Sequence, residues 1–164
     1  EFLYSLPDVF DEQFPNRANA FQFDTDTRNI FICADSKRLL SAFLELLSNA
    51  AEADNSCGSI QIHSHVNACG HTVTVSVTGK GSLSEINPSE MQTNPLIDAD
   101  APLTAQLSTP FFSTKENHAG LGLSIVAQVC HTHHAGFELY SRNGFTTAGI
   151  TFPILAMDDM RNTI

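Results

Sequence analysis

The segment from residue 36 to about residue 54 is too apolar for a helix lying on a surface. At 3.6 residues per turn, Leu39, Leu40, Phe43, Leu44, Leu46, Leu47, Ala50 and Ala51 fill a wide arc. Glu45, Asn49 and Glu52 share the narrow polar stripe that remains, at i, i+4 and i+7. Asp35 or Ser36 supplies the N-cap. A helix with so wide an apolar arc has to be covered by a second layer.

The flanking sequence supplies that layer as strands. Residues 71–78 alternate strictly and are rich in β-branched side chains. With residues 59–66 they predict an antiparallel hairpin that turns at 67–70. Residues 20–24 alternate, and 29–34 read as a further strand. Residues 137–141 and 150–154 close the set, joined through Arg142-Asn143-Gly144. Two more helices are expected. One is near the start, on Leu3, Leu6, Val9, Phe10 and Phe14, with Pro7 in its first turn. The other runs from Gly120 to about His133. The expectation is a two-layer α/β sandwich, three helices on a mixed, mostly antiparallel sheet of five or six strands.

The totals agree with one domain. The chain has 164 residues, 42% of them apolar and 12 of them phenylalanine, enough for a single core. Residues 1–155 are read as the domain and 156–164 as a tail. No run of about 18 apolar residues is present, so no membrane span is expected and the domain is placed in the cytoplasm. A net charge of −10 with only eight Lys and Arg opposes binding to nucleic acid and to anionic lipid. It leaves ATP open, because a metal ion and a few local donors hold a triphosphate against the global field. Four cysteines form no C-x-x-C pair and are read as buried, reduced thiols. The His131-Thr132-His133-His134 run is read as a helix end, where imidazoles favour the dipole, in preference to a metal site.

Residues 79–119 lack apolar periodicity and are rich in Ser, Thr, Asn, Asp and Pro. A stretch of this length inside a compact domain reads as a lid. Its end is Thr109-Pro110-Phe111-Phe112-Ser113-Thr114-Lys115, and Gly120-Leu121-Gly122-Leu123-Ser124 follows. Glycines at a helix start let backbone approach an anion, and the first-turn N–H groups have no partner within the helix. Lys115 adds a point charge. The physical reading is a phosphate site under a loop closed by Phe111 and Phe112.

These two strings resemble the phenylalanine box and glycine box of GHKL ATPases of the histidine-kinase branch, almost letter for letter over residues 110–115 and 120–124. Residues 45–53, Glu45-Leu46-Leu47-Ser48-Asn49-Ala50-Ala51-Glu52-Ala53, resemble the asparagine box of the same family. The resemblance implies the Bergerat fold, bound ATP and Mg²⁺. It places Mg²⁺ on Asn49, whose amide oxygen is a neutral hard ligand, and gives Glu45 the general base or its support. Glu52, Ala53, Gly79, Gly81, Phe111, Phe112, Ser113, Thr114, Gly120, Leu121, Gly122 and Leu123 are implied to line the nucleotide. Lys115 is implied to reach the γ-phosphate. Thr147, or Thr146 one residue earlier, matches the threonine that helps hold adenine. His118 stands where the glycine box usually has its first glycine.

One departure from the family pattern affects the base. The family carries an aspartate before its Gly-x-Gly to accept the adenine amino proton, and here that position falls on Val77 or Gly79. Neither side chain accepts a hydrogen bond. None of the seven histidines is followed by an acidic residue, so the phosphoacceptor is expected outside this chain. The resemblance implies the catalytic domain of a two-component sensor histidine kinase. Its partner would be the phosphoacceptor-histidine dimerisation domain of the parent protein, and indirectly a response regulator. The alternative is a degenerate domain that acts in docking or regulation.

Overall fold

The computed structural model describes residues 1–15, 20–25, 30–53, 58–81, 83, 103–108 and 120–155. In chain order the elements are α1 (Phe2–Gln13), β1 (Ala20–Thr25), α2 (Ser36–Ala53), β2 (Ser59–Val66), β3 (Thr72–Lys80), α3 (Leu103–Leu107), α4 (Gly122–Thr132), β4 (Gly136–Arg142) and β5 (Phe145–Pro153). The five strands form one sheet in the order β1-β2-β3-β5-β4. β1 runs parallel to β2, and the other three pairs are antiparallel. This is the expected two-layer sandwich.

α2 forms the centre of the helix layer. Leu39, Ala42, Phe43, Leu46, Leu47 and Ala51 are buried along it, against Ile60, Ile62, Val73, Val77, Ile150 and Phe152 of the sheet. Each Leu, Ile, Val or Phe side chain among them contributes about 1.5–3 kcal/mol on burial, so this seam holds the layers together. Asp35 caps the helix, its Oδ1 accepting from the N–H groups of Lys37 at 3.0 Å and Arg38 at 3.2 Å. Those backbone bonds come first among the influences that hold the Asp35 carboxyl below its ordinary value. α1 packs beside α2 through Phe2 on Phe43, ring centres 5.8 Å apart, and reaches the sheet through Phe10 on Phe21 at 5.7 Å. The helix begins at Phe2, so Pro7 falls in its second turn and not its first.

Two tight turns set the hairpin registers. In the β2–β3 turn the Asn67 side-chain oxygen accepts from the N–H groups of His71 and Thr72, and Gly70 has a φ of 73°. In the β4–β5 turn Asn143 and Gly144 have φ of 54° and 77°. Both central residues at positive φ is the geometry that suits a two-residue hairpin.

The structure corrects three expectations. Residues 30–34 are not a strand. Ile30, Ile32 and Ala34 pack on the core while Phe31 and Cys33 face outward, and the Leu155 N–H donates to the Phe31 carbonyl at 3.0 Å. The period of two there comes from an extended segment lying along the core edge. Residues 103–107, expected to lack structure, form a single helical turn with Leu107 buried; five residues are too few to show a helical period. Cys33 and Cys69 are exposed and only Cys130 is buried among the described thiols, all three being free. Cys33 lies on the outward phase of its segment and Cys69 at the tip of the β2–β3 turn.

Candidate active site

The C-terminal half of α2 carries the polar stripe into the space between the end of β3 and the start of α4. Gly122 is where these parts meet most closely. A Cβ added there would lie 2.7 Å from Glu45 Oε2 and 3.7 Å from Asn49 Nδ2. A side chain there would have to displace the Glu45 carboxylate, so glycine lets the first turn of α4 lie close to it. About half the chain separates Glu45 from Gly122 in sequence, and the fold brings them close together.

The second wall is the end of β3. A Cβ on Gly79 would meet Ala50 Cβ at 2.7 Å, and one on Gly81 would meet Ala53 Cβ at 3.0 Å. Both glycines therefore serve close packing of strand on helix. Gly81 also has a φ of 143° and is pinned from the far side. Its N–H donates to the Gly144 carbonyl at 2.9 Å, and its carbonyl accepts from Thr146 Oγ1 at 3.1 Å. The Thr146 and Ser141 hydroxyls are 2.7 Å apart, and Leu83 N–H donates to Ser141 Oγ.

Thr147 does not belong to this wall. It pairs with Thr78 across β3 and β5, and the two hydroxyls meet at 2.8 Å. Thr78 alternates with Gly79, which faces α2, so Thr78 and Thr147 project from the opposite face of the sheet. The threonine on the helix side is Thr146, partner of Gly79 in the ladder. The alternation in β5 carried this signal, because Thr146 shares its face with Ala148, Ile150 and Phe152. Ser141 was missed entirely; a serine in a strand has no distinguishing sequence mark.

At the third wall, Gly120 has a φ of 66° and Leu121 caps α4 without a side-chain bond to the first turn. The Ser124 hydroxyl turns back to the Leu121 carbonyl at 2.8 Å. The first-turn N–H groups therefore give α4 the positive end of its dipole toward the space beside Glu45 and Asn49. Ser48 Oγ donates to Glu52 Oε1 at 3.0 Å, holding Glu52 along α2. The residues Phe111, Phe112, Ser113, Thr114 and Lys115, with His118 and most of the expected lid at 79–119, lie outside the described residues.

The far end of α4 is closed by a histidine. His133 Nδ1 donates to the Val129 carbonyl at 2.7 Å, and Nε2 accepts from the Asp35 N–H at 2.9 Å. This ties the C-terminus of α4 to the N-terminus of α2. The described residues contain no group of three or more His, Cys, Asp or Glu placed to hold a metal, and no helix among them is long and apolar enough to cross a membrane.

An α/β sandwich with an asparagine-bearing helix facing a glycine-rich helix start defines an ATPase class. Residues 34–156 match the model of the Histidine kinase-, DNA gyrase B-, and HSP90-like ATPase family, and the chain belongs to that family. Among curated relatives, the sensory histidine kinase/phosphatase NtrB of Rhizobium leguminosarum bv. phaseoli is 33% identical over 127 residues, covering 74% of this chain and 32% of that protein. The sensor histidine kinase ZraS of Escherichia coli (strain K12) is 28% identical over 123 residues, 75% of this chain and 22% of that protein. The chain thus spans about a third or less of the length of these relatives. Among solved structures, the nucleotide-free catalytic domain of histidine kinase ThkA aligns with a TM-score of 0.69 at 26% identity, covering 93% of this chain and 90% of that one.

Proposed function

We propose that this chain is the catalytic, ATP-binding domain of a sensor histidine kinase and transfers the γ-phosphoryl group of ATP to a histidine outside the chain. The observation that carries the reading is the close approach of the α4 start at Gly122 to Glu45 and Asn49, where an added Cβ would meet both side chains. It sets a carboxylate, an amide and a helix N-terminus around one space, within a chain whose relatives are sensor histidine kinases.

The α4 N-terminus would bind the phosphates through its free N–H groups, with the backbone of Gly120 to Leu123 close against them. A triphosphate beside the Glu45 carboxylate brings like charges together, which favours a cation between them. Asn49 would hold Mg²⁺ there through its side-chain oxygen, and the ion when bound would neutralise phosphate charge. The acceptor imidazole nitrogen attacks the γ-phosphorus in line, forming a P–N bond as the bond to the β–γ bridging oxygen breaks. ADP leaves with that oxygen, and Glu45 takes the imidazole proton. Orientation and charge stabilisation would account for the rate. Lys115 is assigned to the γ-phosphate on its sequence position alone.

The acceptor is assigned to a dimerisation domain of the parent protein, with a response regulator downstream. The ThkA structure solved in complex with the response regulator TrrA is the precedent in a relative. Cytoplasmic placement belongs to the same proposal. The docking-module alternative draws on the missing aspartate, whose position falls on Val77 or Gly79, and kinase relatives do not favour it. The test is transfer from radiolabelled Mg-ATP to a purified phosphoacceptor domain of the parent protein. Label on the acceptor histidine that is lost in Glu45→Gln supports the reading. Absence of both nucleotide binding and transfer in the folded wild-type domain refutes it.

A further inference from the structure

The face of the sheet turned away from the helices carries a cluster unrelated to the nucleotide site. His63 and His65 are two residues apart on β2, so both project from that open face. Asp24 is the cross-strand partner of His63 in the parallel β1–β2 ladder, and its Oδ2 stands 3.2 Å from His63 Nδ1. The two imidazole rings have their centres 5.3 Å apart, tilted by 32°. With metal–nitrogen bonds of about 2.0–2.1 Å and a tetrahedral angle, two imidazoles on one ion hold their centres about 5 Å apart. The ring spacing of the pair is compatible with both imidazoles on one ion.

The carboxylate supplies a second, independent feature. A carboxylate on Nδ1 keeps the ring proton on that nitrogen and leaves Nε2 as the lone-pair donor, the arrangement that orients metal-binding histidines. The Asp24 side chain is 91% exposed and that of His63 44%, so an ion reaches the site without any opening of the fold. A cavity of about 360 Å³ adjoins it, lined by Gln22, Asp24, Gln61, His63, Ser76 and Thr78 among others. Among the described residues no lysine or arginine lines that cavity, and the net charge of −10 favours a cation.

We propose that His63 and His65, with Asp24 orienting His63, form a chelate site for a late divalent transition metal, Zn²⁺ or Cu²⁺, on the open face of the sheet. Imidazole nitrogen suits these ions, whereas Mg²⁺ demands oxygen ligands. The site is therefore chemically separate from the Asn49 position and stands whether or not the kinase reading holds. Two protein ligands leave further coordination positions to water or to a ligand in the adjoining cavity.

The test is calorimetric titration of the whole chain with ZnCl₂ and CuCl₂ in a non-chelating buffer. Wild type, His63→Gln, His65→Gln and Asp24→Asn are compared, with circular dichroism to check that each exposed-face variant folds. One equivalent should bind, more tightly for Cu²⁺ than for Zn²⁺. Either histidine variant should weaken it at least tenfold, and Asp24→Asn about tenfold. Excess Mg²⁺ should not compete, and lowering the pH from 7.5 to 5.5 should release the ion, because ligating imidazoles must be neutral. Unchanged affinity in His63→Gln and His65→Gln would put the metal on the exposed thiols or the His131 and His134 end, and would overturn the proposal. So would the absence of one-equivalent binding in wild type.

Discussion

Restoring a carboxylate at the end of β3 should return adenine selectivity, and the packing decides which residue can carry it. Gly79 is closed to substitution, since a Cβ there would stand 2.7 Å from Ala50 Cβ, 3.0 Å from Ala50 Cα and 3.1 Å from its carbonyl oxygen. The last two are α2 backbone, which does not yield as a side-chain end does. Overpacking of this kind costs about 1–3 kcal/mol, so Gly79→Asp should lower the melting temperature without improving binding. Val77 already directs a side chain into the helix-facing layer, 2% exposed, between Ile62 and Ala148. Aspartate is close to valine in size, so Val77→Asp introduces no clash but buries a carboxylate. That lowers the stability of the empty domain, since a buried charge without a partner is desolvated. Bound adenine supplies the partner, and a hydrogen bond to a charged acceptor contributes roughly 1.5–3 kcal/mol, about one to two decades of affinity. Competition of ATP and GTP against a fluorescent nucleotide, in wild type and Val77→Asp, reads this directly. Wild type should separate the two nucleotides poorly, and the variant should favour ATP by about 10- to 100-fold more. A folded Val77→Asp that binds Mg-ATP with the wild-type ATP-to-GTP ratio would refute the reasoning, as would tight, adenine-selective binding by the wild type.

Asn49→Ala should leave the circular dichroism unchanged and remove the Mg²⁺-dependent part of ATP affinity, measured by titration with and without the ion. Gly122→Ala should displace the Glu45 carboxylate 2.7 Å from the new Cβ and slow phosphoryl transfer; in a double-mutant cycle with Glu45→Ala the two losses should not add. A non-hydrolysable ATP analogue should raise hydrogen-exchange protection across residues 82–119, the greater part of the stretch 79–119 read as a lid. Burial pushes the Cys130 thiol up to about 11. The unfolded chain, with its ordinary thiol, loses that proton first. The stabilising contribution is therefore complete below about pH 9 and lost as the pH rises through about 11. Urea unfolding at pH 8 and pH 10.5, with Cys130→Val as reference, should show wild type losing more stability than the variant.

The sequence revealed most where one residue pattern answers to one physical demand. The α2 arc, the β3 alternation and the Asn143-Gly144 turn each admit one arrangement, and the structure has it. It revealed least where two demands produce the same pattern. Ile30, Ile32 and Ala34 alternate because they cover a core edge, and a paired strand would alternate in the same way. Thr146 and Thr147 are identical in type, and only the parity of β5 assigns one to the site and the other to the open face, because a slip of one residue reverses every side chain. The approach of Gly122 to Glu45 could not be read at all without the fold, since no local rule relates a helix start to a residue so far back in the chain.

The base half and the phosphate half of the candidate site rest on different elements, and this lets them diverge independently. The phosphate half is α2 against the first turn of α4, joined through Gly122, Glu45 and Asn49. A side chain added at Gly122 disturbs Glu45 directly, so the glycine and the polar stripe of α2 constrain one another. The base half is the end of β3 with the β4–β5 hairpin, held by the bonds of Gly81 to Gly144 and Thr146. Val77 sits in that half, where a valine suits the core as well as any residue could. If Val77 holds the place of the family's aspartate, that exchange removes a ligand contact and relieves a buried charge in one step, and the fold needs no compensating change in α2 or α4. A chain can therefore keep every phosphate-facing motif intact while its grip on the base weakens, and the boxes alone say nothing about that grip.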